Sequence, residues 1–507
     1  TWELEERVNS LGWAAEWFGR QDCARAAARD LEALAAFPRY CQYAQPDLSS
    51  GHAGRILWTA YTKWRWPGQA LRQSIKEACA RHVAEVLPHG DKYYAGLRTK
   101  QDFLALPQPS SKLPNIPLIG TVTTALTAHV AGHPALPALH DRLLAIMGAI
   151  LDLRPKGYAE AVAYDGYILD FVACWLEILP AARRQEILAH PSLRHYLEQA
   201  YMLSVPGRLE LLAELADVEP REMPYHYAAQ ARLARFGTDP VQSWYLRRWP
   251  VGWIHAGALG ELRPVVEKLS GAAPPPAGAL DAHYAKVLRT GYAKEDVAVA
   301  VSCTTSAAGH LPPDNGTLLI GARGRWIVTD PGYQQYMRDA ERDYTIGPAA
   351  HNYPVIDGAA QNTKRPRMVA LDTPAAGLLR TSVELADCYP ESAGVESVLR
   401  TVWLSGREGV VVADRVRGRA VKKLAYNWHG NAEASWWPQD GAMLLHLPEA
   451  DLWIATPQAR LSGAGLVRHA GSRGALTLTA ELEPAPPVVW WVFAFGEIGR
   501  ASCRVRV

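Results

Sequence analysis

The stretch from Trp326 to Gln361 reads WIVTDPGYQQYMRDAERDYTIGPAAHNYPVIDGAAQ. Its apolar start, Trp326 to Val328, predicts a strand that ends at the breaker Asp330-Pro331-Gly332. A polar run rich in tyrosine follows, and a second short strand is predicted at Pro354 to Ile356. The pair Asp357-Gly358 is typical of a tight hairpin turn. Taken alone, the stretch predicts a hairpin on a sheet edge.

The sequence on both sides of this stretch also has the pattern of short strands. Short alternating segments rich in β-branched and aromatic residues are separated by turns containing Gly, Asp or Asn. They predict an antiparallel β-sandwich of about 230 residues. The strands expected are Val297–Cys303, Thr317–Ile320, Trp326–Val328, Leu378–Leu385, Ser397–Trp403, Gly409–Ala413, Met443–Leu447 and Val488–Phe495.

The first half of the chain, to about residue 265, has apolar residues at helical spacing. Breakers such as Pro88-His89-Gly90 separate the helical segments, so the pattern indicates helical pairs joined by short loops. Several such pairs can close into an α/α toroid, and a superhelical solenoid is the competing geometry. The helices expected are Cys23–Phe37, Ala70–Val86, Leu136–Leu153 and Tyr167–Leu179.

A run of helices followed by a run of strands predicts an α+β protein with segregated domains. We expect a helical domain at 1–268, a Pro/Ala/Gly-rich linker at 269–282, and the β-sandwich at 283–497. Residues 498–507 differ from the strands before them and look like a translated sequencing adaptor, so we interpret them as a non-native tail. The chain begins at Thr1 without a basic and apolar leader, which we interpret as a fragment or processed chain.

Composition narrows the function classes. The chain has 507 residues and a formal net charge of +2, so broad nucleic-acid binding is not expected. Its apolar runs are too short to predict a membrane span. The seven cysteines lack CxxC spacing, which argues against a zinc ribbon or a dense disulfide scaffold.

Two places in the helical half have side chains suited to chemistry. Asn115 lies between two prolines before a predicted helix, where it is either a turn residue or an amide that binds a carboxylate. If a helix begins near Tyr158, then Glu160, Tyr164 and Tyr167 share one face at i, i+4 and i+7. The alternative is that these tyrosines pack in the interior with their hydroxyls satisfied.

The helix that holds these tyrosines contains a glycine. Gly166 costs roughly 1 kcal/mol relative to alanine inside a helix, which suggests a packing or access reason for it.

The third place is in the β-half. His310 and His351 fall near strand ends, and with Asp314 and Asp357 they are candidate metal ligands, although no diagnostic ligand spacing is present. A single histidine among tyrosines and arginines on a sheet edge is also compatible with an ordinary surface residue that has no functional role.

These places, taken together, resemble the heparinase II/III-like polysaccharide lyases over roughly residues 110 to 420. Two segments resemble the helical half of that family, and four resemble its β-half. The matching segments are Asn115 before Gly120-Thr121; Gly157, Glu160 and Tyr164; Gly309-His310 through Asp314-Asn315-Gly316-Thr317; Asp330-Pro331-Gly332; His351-Asn352 through Asp357-Gly358; and Arg400-Thr401-Val402 through Ala413-Asp414-Arg415-Val416.

The resemblance implies an N-terminal α/α toroid, a C-terminal antiparallel β-sandwich, and β-elimination at a uronic acid of an acidic polysaccharide. It implies Tyr164 as base and acid, Asn115 as the carboxylate-binding group, and His351 as the partner from the β-domain. Further substrate contacts are expected from six residues. They are Tyr336, Arg338, Arg342, His310, Glu160 and Tyr167.

No cofactor is expected for this reaction. A structural divalent metal in the β-sandwich is an open alternative, with His351 and Asp372 as candidate ligands, and the metal-free site is favoured. The resemblance also favours a periplasmic or secreted protein. The glycan, with glycosaminoglycans ahead of alginate, and the oligomeric state are left open.

The chain departs from the family pattern directly after the proposed base. Asp165 stands where many relatives have histidine, and Lys156 replaces the usual aspartate before Gly157. One alternative is therefore a non-catalytic protein that binds acidic glycans on the same scaffold. A weaker alternative is a hydrolase that uses Glu160 and Asp165 as paired carboxylates.

Overall fold

The structure is a computed structural model that describes residues 2–41, 46–213, 215, 224–248, 256–304, 310–332, 340–419, 421–469 and 475–496. The chain divides into two compact units. The helical unit comprises Thr1–Pro155, Tyr164–Leu197 and Met223–Pro274, and the β unit comprises Lys156–Ala163, Glu198–Glu222 and Pro275–Val507. Segments 156–163 and 198–222, which we predicted within one continuous helical domain, thus group with the β unit. The predicted tail at 498–507 lies outside the described residues.

Thirteen α-helices are found along the described part of the first 266 residues. The predicted helix at Leu136–Leu153 is found with those limits. The helices are α1 Trp2–Phe18, α2 Gln21–Ala35, α3 Leu48–Thr62, α4 Gln69–Tyr93, α5 Lys100–Leu104, α6 Asn115–Ala131, α7 Leu136–Leu153, α8 Val162–Ile178, α9 Ala181–Leu188, α10 Pro191–Met202, α11 Pro224–Leu233, α12 Pro240–Arg248 and α13 Ala256–Val266.

The predicted break at Pro88 is wrong, because α4 continues through this proline to Tyr93. Proline inside a helix removes one hydrogen bond and costs about 3 kcal/mol. The helix has a buried stripe at helical spacing that includes Ile75, Cys79 and Val86. Burial of this stripe outweighs the local penalty of the proline.

Buried ion pairs join the helices of the helical unit. Arg55 of α3 contacts Glu5 of α1 at 2.6 Å and Asp170 of α8 at 2.5 Å. Arg232 of α11 lies 3.0 Å from the same Asp170 and 2.5 Å from Glu261 of α13. Because each buried carboxylate has a guanidinium partner, the pairs fix how these five helices pack.

The β unit contains nineteen strands and one α-helix among its described residues. They are β1 Ser204–Val205, β2 Arg208–Leu212, β3 Gly278–Asp281, β4 Ala285–Arg289, β5 Val297–Ser302, β6 Leu318–Ala322, β7 Arg325–Thr329, α14 Ala340–Thr345, β8 Val355–Ile356, β9 Arg367–Ala375, β10 Leu378–Glu384, β11 Val395–Ser405, β12 Gly409–Gly418, β13 Leu424–Gly430, β14 Ser435–Gln439, β15 Ala442–Leu447, β16 Ala450–Ala455, β17 Leu466–Val467, β18 Thr477–Leu482 and β19 Val488–Phe495.

Two antiparallel sheets form the predicted sandwich. In the described residues one sheet has the order β14-β15-β16-β19-β12-β11-β10-β9, and the other has the order β17-β18-β13-β7-β6-β5-β4-β3. One hydrophobic core contains side chains of both sheets, including Val299 and Trp428 from one and Val412 and Trp491 from the other. The sandwich is therefore closed by apolar burial between the two inner faces.

The predicted hairpin at Asp357-Gly358 is only partly correct. Both residues have positive φ, 48° and 76°, as a tight turn of this type requires. The strand before the turn, β8, nevertheless pairs with β13 rather than with the segment that follows. A pairing between distant segments cannot be inferred from local turn residues.

The β unit buries two opposite charges, Arg400 and Asp414, in adjacent strands. Two guanidinium nitrogens of Arg400 donate to the two carboxylate oxygens of Asp414, each at 2.8 Å. The third nitrogen donates to the backbone carbonyls of Gly316 at 2.6 Å and Asn352 at 2.5 Å. This ion pair thus links β11 and β12 to two loops.

We predict that Asp414→Asn lowers the free energy of unfolding of the protein by about 3–5 kcal/mol, because it leaves a buried guanidinium without a counter-charge. Glu396→Gln is the matched control, since Glu396 pairs with Arg419 at 3.1 Å on the surface. The control is expected to cost less than about 1 kcal/mol. Denaturant unfolding measures both, and equal losses would contradict a special role for the buried pair.

Candidate active site

The helix that bears Tyr164 begins between the two starts considered from the sequence, Tyr158 and Tyr167. Helix α8 starts at Val162, and the preceding Ala161 has φ of 86°, which is left-handed backbone that ends any helix continuing from Tyr158. The expectation that Glu160 lies on the same helical face is therefore wrong. Tyr164 and Tyr167 do lie in α8, three residues apart, and Tyr164 is half-buried.

Asp165, the residue after the proposed base, has its charge compensated inside the helical unit. Its carboxylate accepts a hydrogen bond from Arg154 at 2.7 Å and another from the hydroxyl of Tyr196 at 3.1 Å. Arg154 and Asp165 are both fully buried, and the guanidinium also lies 4.1 Å from the centre of the Tyr196 ring. The carboxylate is therefore part of a packed ion pair.

The glycine in α8 has a packing reason. A Cβ atom placed on Gly166 would lie 2.5 Å from Cδ2 of His226, a ring carbon in α11. That distance is far inside van der Waals contact, so only glycine allows the ring to pack on this turn of α8.

Asn115 is the first residue of α6 and is 2% exposed. Its side-chain oxygen accepts a hydrogen bond from the backbone N–H of Ile116 at 2.7 Å. The residue before it, Pro114, holds an extended backbone with φ of −66°. The structure thus agrees with the helix-terminus interpretation of Asn115, while carboxylate binding by its amide stays a prediction.

Tyr167 belongs to a buried hydrogen-bonded chain. Its hydroxyl lies 2.6 Å from Nε2 of His52, and Nδ1 of His52 contacts Glu5. Burial lowers the pKa of His52, which favours the neutral ring. Because a carboxylate only accepts hydrogen bonds, we assign the proton to Nδ1, and Nε2 then accepts from Tyr167.

The buried position of Tyr167 does not favour its predicted role as a substrate contact. Burial raises the pKa of its hydroxyl well above the ordinary value, and the side chain is 3% exposed. Its position supports the packing alternative for this tyrosine.

His351 is fully buried in the β unit. Nδ1 of its ring lies 2.9 Å from a carboxylate oxygen of Asp330, in the Asp-Pro-Gly turn after β7. Burial lowers the pKa of His351, but the charge of Asp330 and this hydrogen bond outweigh it, and the pKa is raised. Nearby, burial raises the pKa of Asp314 to about 6. His351 is therefore fully buried and holds the turn through its hydrogen bond to Asp330.

The adjacent Asn352 is also architectural. Its amide nitrogen donates to the backbone carbonyls of Leu318 at 2.9 Å and Thr329 at 2.6 Å. Its oxygen accepts from the backbone N–H of His429 at 3.0 Å. One side chain thereby links β6, β7 and β13.

The other residues predicted to contact the substrate differ in how far they are buried. Within the β unit, Glu160 is buried beside Tyr158, and its carboxylate lies 3.8 Å from Nε2 of His310, which is half-buried. Arg342, in α14, has a side chain that is 35% exposed. Tyr336 and Arg338 lie outside the described residues.

The candidate metal ligands do not form a set. Both guanidinium nitrogens of Arg380 that face Asp372 donate to its carboxylate, at 3.0 Å and 2.6 Å, and His351 is paired with Asp330. In the part of the chain that the structure describes, no group of three His, Cys, Asp or Glu residues is arranged to hold a metal ion. The residues present therefore do not fit a metal bound by His351 and Asp372.

Sequence reasoning missed Arg154, Tyr196 and His52. Each contacts a predicted residue of α8 from another segment, and no local motif contains any of them. A buried acidic residue in an apolar helix was the one available signal, since such a charge needs a partner.

Comparison with known proteins shows which family the β-sandwich segment matches. Residues 272–485 match the family model described as heparinase II/III-like, C-terminal. Residues 272–485 form a heparinase II/III-like C-terminal domain. No curated protein matches the chain significantly.

Solved structures support the fold over nearly the whole chain. A crystal structure of heparinase III has a TM-score of 0.59 at 11% identity and covers 94% of this chain and 74% of its own. A heparinase III with methylated lysines has a TM-score of 0.60 at 13% identity and covers 97% and 77%. The heparan sulfate lyase HepC from Pedobacter heparinus has a TM-score of 0.57 at 12% identity and covers 94% and 76%.

These likenesses confirm the predicted fold class, in which a helical region precedes the antiparallel sandwich of the heparinase II/III-like domain. The chain thus has a heparinase III-like fold. Among the described helices, none combines the length and apolarity needed to cross a membrane.

We predict that Gly166→Ala lowers the free energy of unfolding by about 1–3 kcal/mol, because the new methyl group overlaps the ring of His226. Gly148→Ala in α7 is the control, since its methyl group would meet only side-chain carbons of one flexible residue, Lys100, with Cδ nearest at 2.9 Å. The control should be neutral or should stabilise by up to about 1 kcal/mol. Thermal unfolding of both variants measures this, and a harmless Gly166→Ala would disprove the close packing.

Proposed function

We propose that the protein is a lyase that cleaves a uronic-acid-containing polysaccharide by β-elimination, with a glycosaminoglycan-like substrate first and alginate second. The observation that carries the proposal is the position of Tyr164. It is half-buried at the start of α8, and the carboxylate beside it is neutralised by Arg154. The heparinase-like scaffold supports the same reaction class.

The chemistry explains why a tyrosine needs this setting. The C5 proton of a uronate is weakly acidic, and its removal moves negative charge into the carboxylate, which needs stabilisation. A base takes the proton, and an acid protonates the departing glycosidic oxygen. A phenol can do both in turn, but its reference pKa of about 10 disfavours the phenolate at neutral pH. A free carboxylate beside it would disfavour the phenolate further, and the Arg154 pair removes that penalty.

The other predicted residues have supporting roles in this proposal. Asn115 donates a hydrogen bond from its amide nitrogen to the uronate carboxylate, while its oxygen keeps the helix-terminal contact. His351 acts as a positioning residue, because it is buried and holds the turn that contains Asp330. Arg342, whose side chain is 35% exposed, contributes a guanidinium that can pair with an anionic sugar.

The two alternative functions, a non-catalytic binding protein and a hydrolase, lose the expectation about Asp165 on which they were based. The non-catalytic alternative was based on a carboxylate at Asp165 that would repel the substrate, yet this carboxylate is buried in an ion pair. The hydrolase alternative needs Asp165 as a working acid or base, and a fully buried, ion-paired carboxylate has no access to water or sugar.

We expect Tyr164→Phe to reduce lyase activity at least about a hundredfold, because it removes the group that transfers the proton. Tyr61→Phe in α3 is the control, since it removes a half-buried hydroxyl outside the proposed site. Ultraviolet absorbance of the unsaturated product, followed on heparan sulfate, hyaluronan and alginate, measures the rates. Full activity of Tyr164→Phe beside an active wild type would reject the assignment.

A further inference from the structure

A second feature of the β unit is a cleft formed by the tips of two hairpins. The turn Pro206-Gly207 joins β1 to β2, and the turn Arg323-Gly324 joins β6 to β7. The cleft has a volume of about 250 Å³ and is also lined by Lys294. Its lining residues include none of the proposed catalytic set.

Backbone contacts make the walls of the cleft rigid. The N–H of Gly324 donates to the carbonyl of Pro206 at 2.9 Å, and the N–H of Gly207 donates to the carbonyl of Tyr292 at 3.1 Å. A Cβ atom on Gly207 would lie 2.8 Å from the Cα of Lys294, so the turn sits directly on that segment. The cleft is therefore preorganised, which lowers the entropy cost of binding.

The cleft is lined by four basic side chains and one acidic side chain. Arg208 is paired with Glu210 at 2.8 Å, and Arg325 lies 3.2 Å from Glu433 and 3.4 Å from Glu449. In contrast, no carboxylate of the described residues lies within ion-pair distance of Lys294 or Arg323. These two exposed cations are the charges left for a ligand.

The backbone of Arg323 gives an independent reason to look for function. Its φ is 52°, a left-handed conformation that a two-residue hairpin turn normally gives to Asn, Asp or Gly. Arginine is strained there, and strained positions cluster at binding sites. Its guanidinium donates to the backbone carbonyl of Glu449 at 3.0 Å, which holds the side chain along the cleft.

We propose that this cleft binds one anionic sugar unit of an acidic oligosaccharide, through a sulfate or carboxylate group paired with Arg323 and Lys294. Guanidinium and ammonium groups are the usual partners of both anions. The volume is below the roughly 300–1,000 Å³ of drug-sized sites, so it suits one sugar unit and not a longer segment. The ligand class rests on the proposed lyase function, while the site itself does not.

The test is protection of Lys294 from acetylation, read residue by residue by mass spectrometry. The experiment uses the full chain with Tyr164→Phe, so that the ligand is not consumed. The probes are a sulfated heparin tetrasaccharide, the same tetrasaccharide after desulfation, and inorganic sulfate. Lys422, an exposed lysine in the loop before β13, is the internal control.

We expect the sulfated tetrasaccharide to protect Lys294 but not Lys422. Arg323→Gln should raise the concentration needed for half protection by about tenfold, and Arg419→Gln, the same change at a 90% exposed arginine, should not. Protection by the desulfated probe as well would assign the contact to the carboxylate, and its loss would assign it to the sulfate.

Three results would overturn the proposal. They are equal acetylation of Lys294 with and without tetrasaccharide, protection unaffected by Arg323→Gln, and protection by inorganic sulfate at the same concentration as the tetrasaccharide. Wild-type formation of unsaturated product is measured separately. Lyase activity without protection rejects only this cleft, and protection without lyase activity rejects only the catalytic proposal.

Discussion

The helical unit depends on arginines that neutralise the buried acidic residues of α8. Asp165 is paired with Arg154, and Asp170 is paired with Arg55 and Arg232. An unpaired buried carboxylate would cost several kcal/mol, so the helix cannot rotate or shift without breaking these pairs. They therefore determine which side chains of α8 face the interior and leave Tyr164, at the start of the helix, half-buried.

In the β unit, the residues that look most like family motifs are mainly architectural. Arg400 and Asp414 join strands to loops, Asn352 links three strands, and His351 anchors the turn at Asp330. Buried polar groups of this kind need all of their partners at once, so they specify one arrangement of the sheets. A motif can thus identify a fold reliably while saying little about which residue touches the substrate.

Much of the fold could be predicted because strand patterns are local. The strand at Val488–Phe495 has the predicted limits, since alternation over eight residues determines its face and extent. The sequence predicts that helix α4 ends at Val86, before Pro88, whereas the helix continues to Tyr93. A proline is visible in the local sequence, but the packing that offsets its cost is not.

The candidate site was less predictable for a related reason. The start of α8 depends on the left-handed backbone of Ala161, and alanine gives no sequence signal for that conformation. The partner of Asp165 is eleven residues away across a turn, and the partner of Tyr167 is in another helix. Distances across the fold decide these roles, and residue type alone does not.

The central claim is that the protein breaks a glycosidic bond by elimination and not by hydrolysis. Digestion of a uronate polysaccharide in water enriched in heavy oxygen, followed by mass spectrometry of the products, tests it most directly. Elimination adds no water across the cleaved bond, so we predict products that carry an unsaturated uronate and, at times too short for the new reducing end to exchange its oxygen with the solvent, no oxygen label. Saturated products heavier by one labelled water would contradict the account.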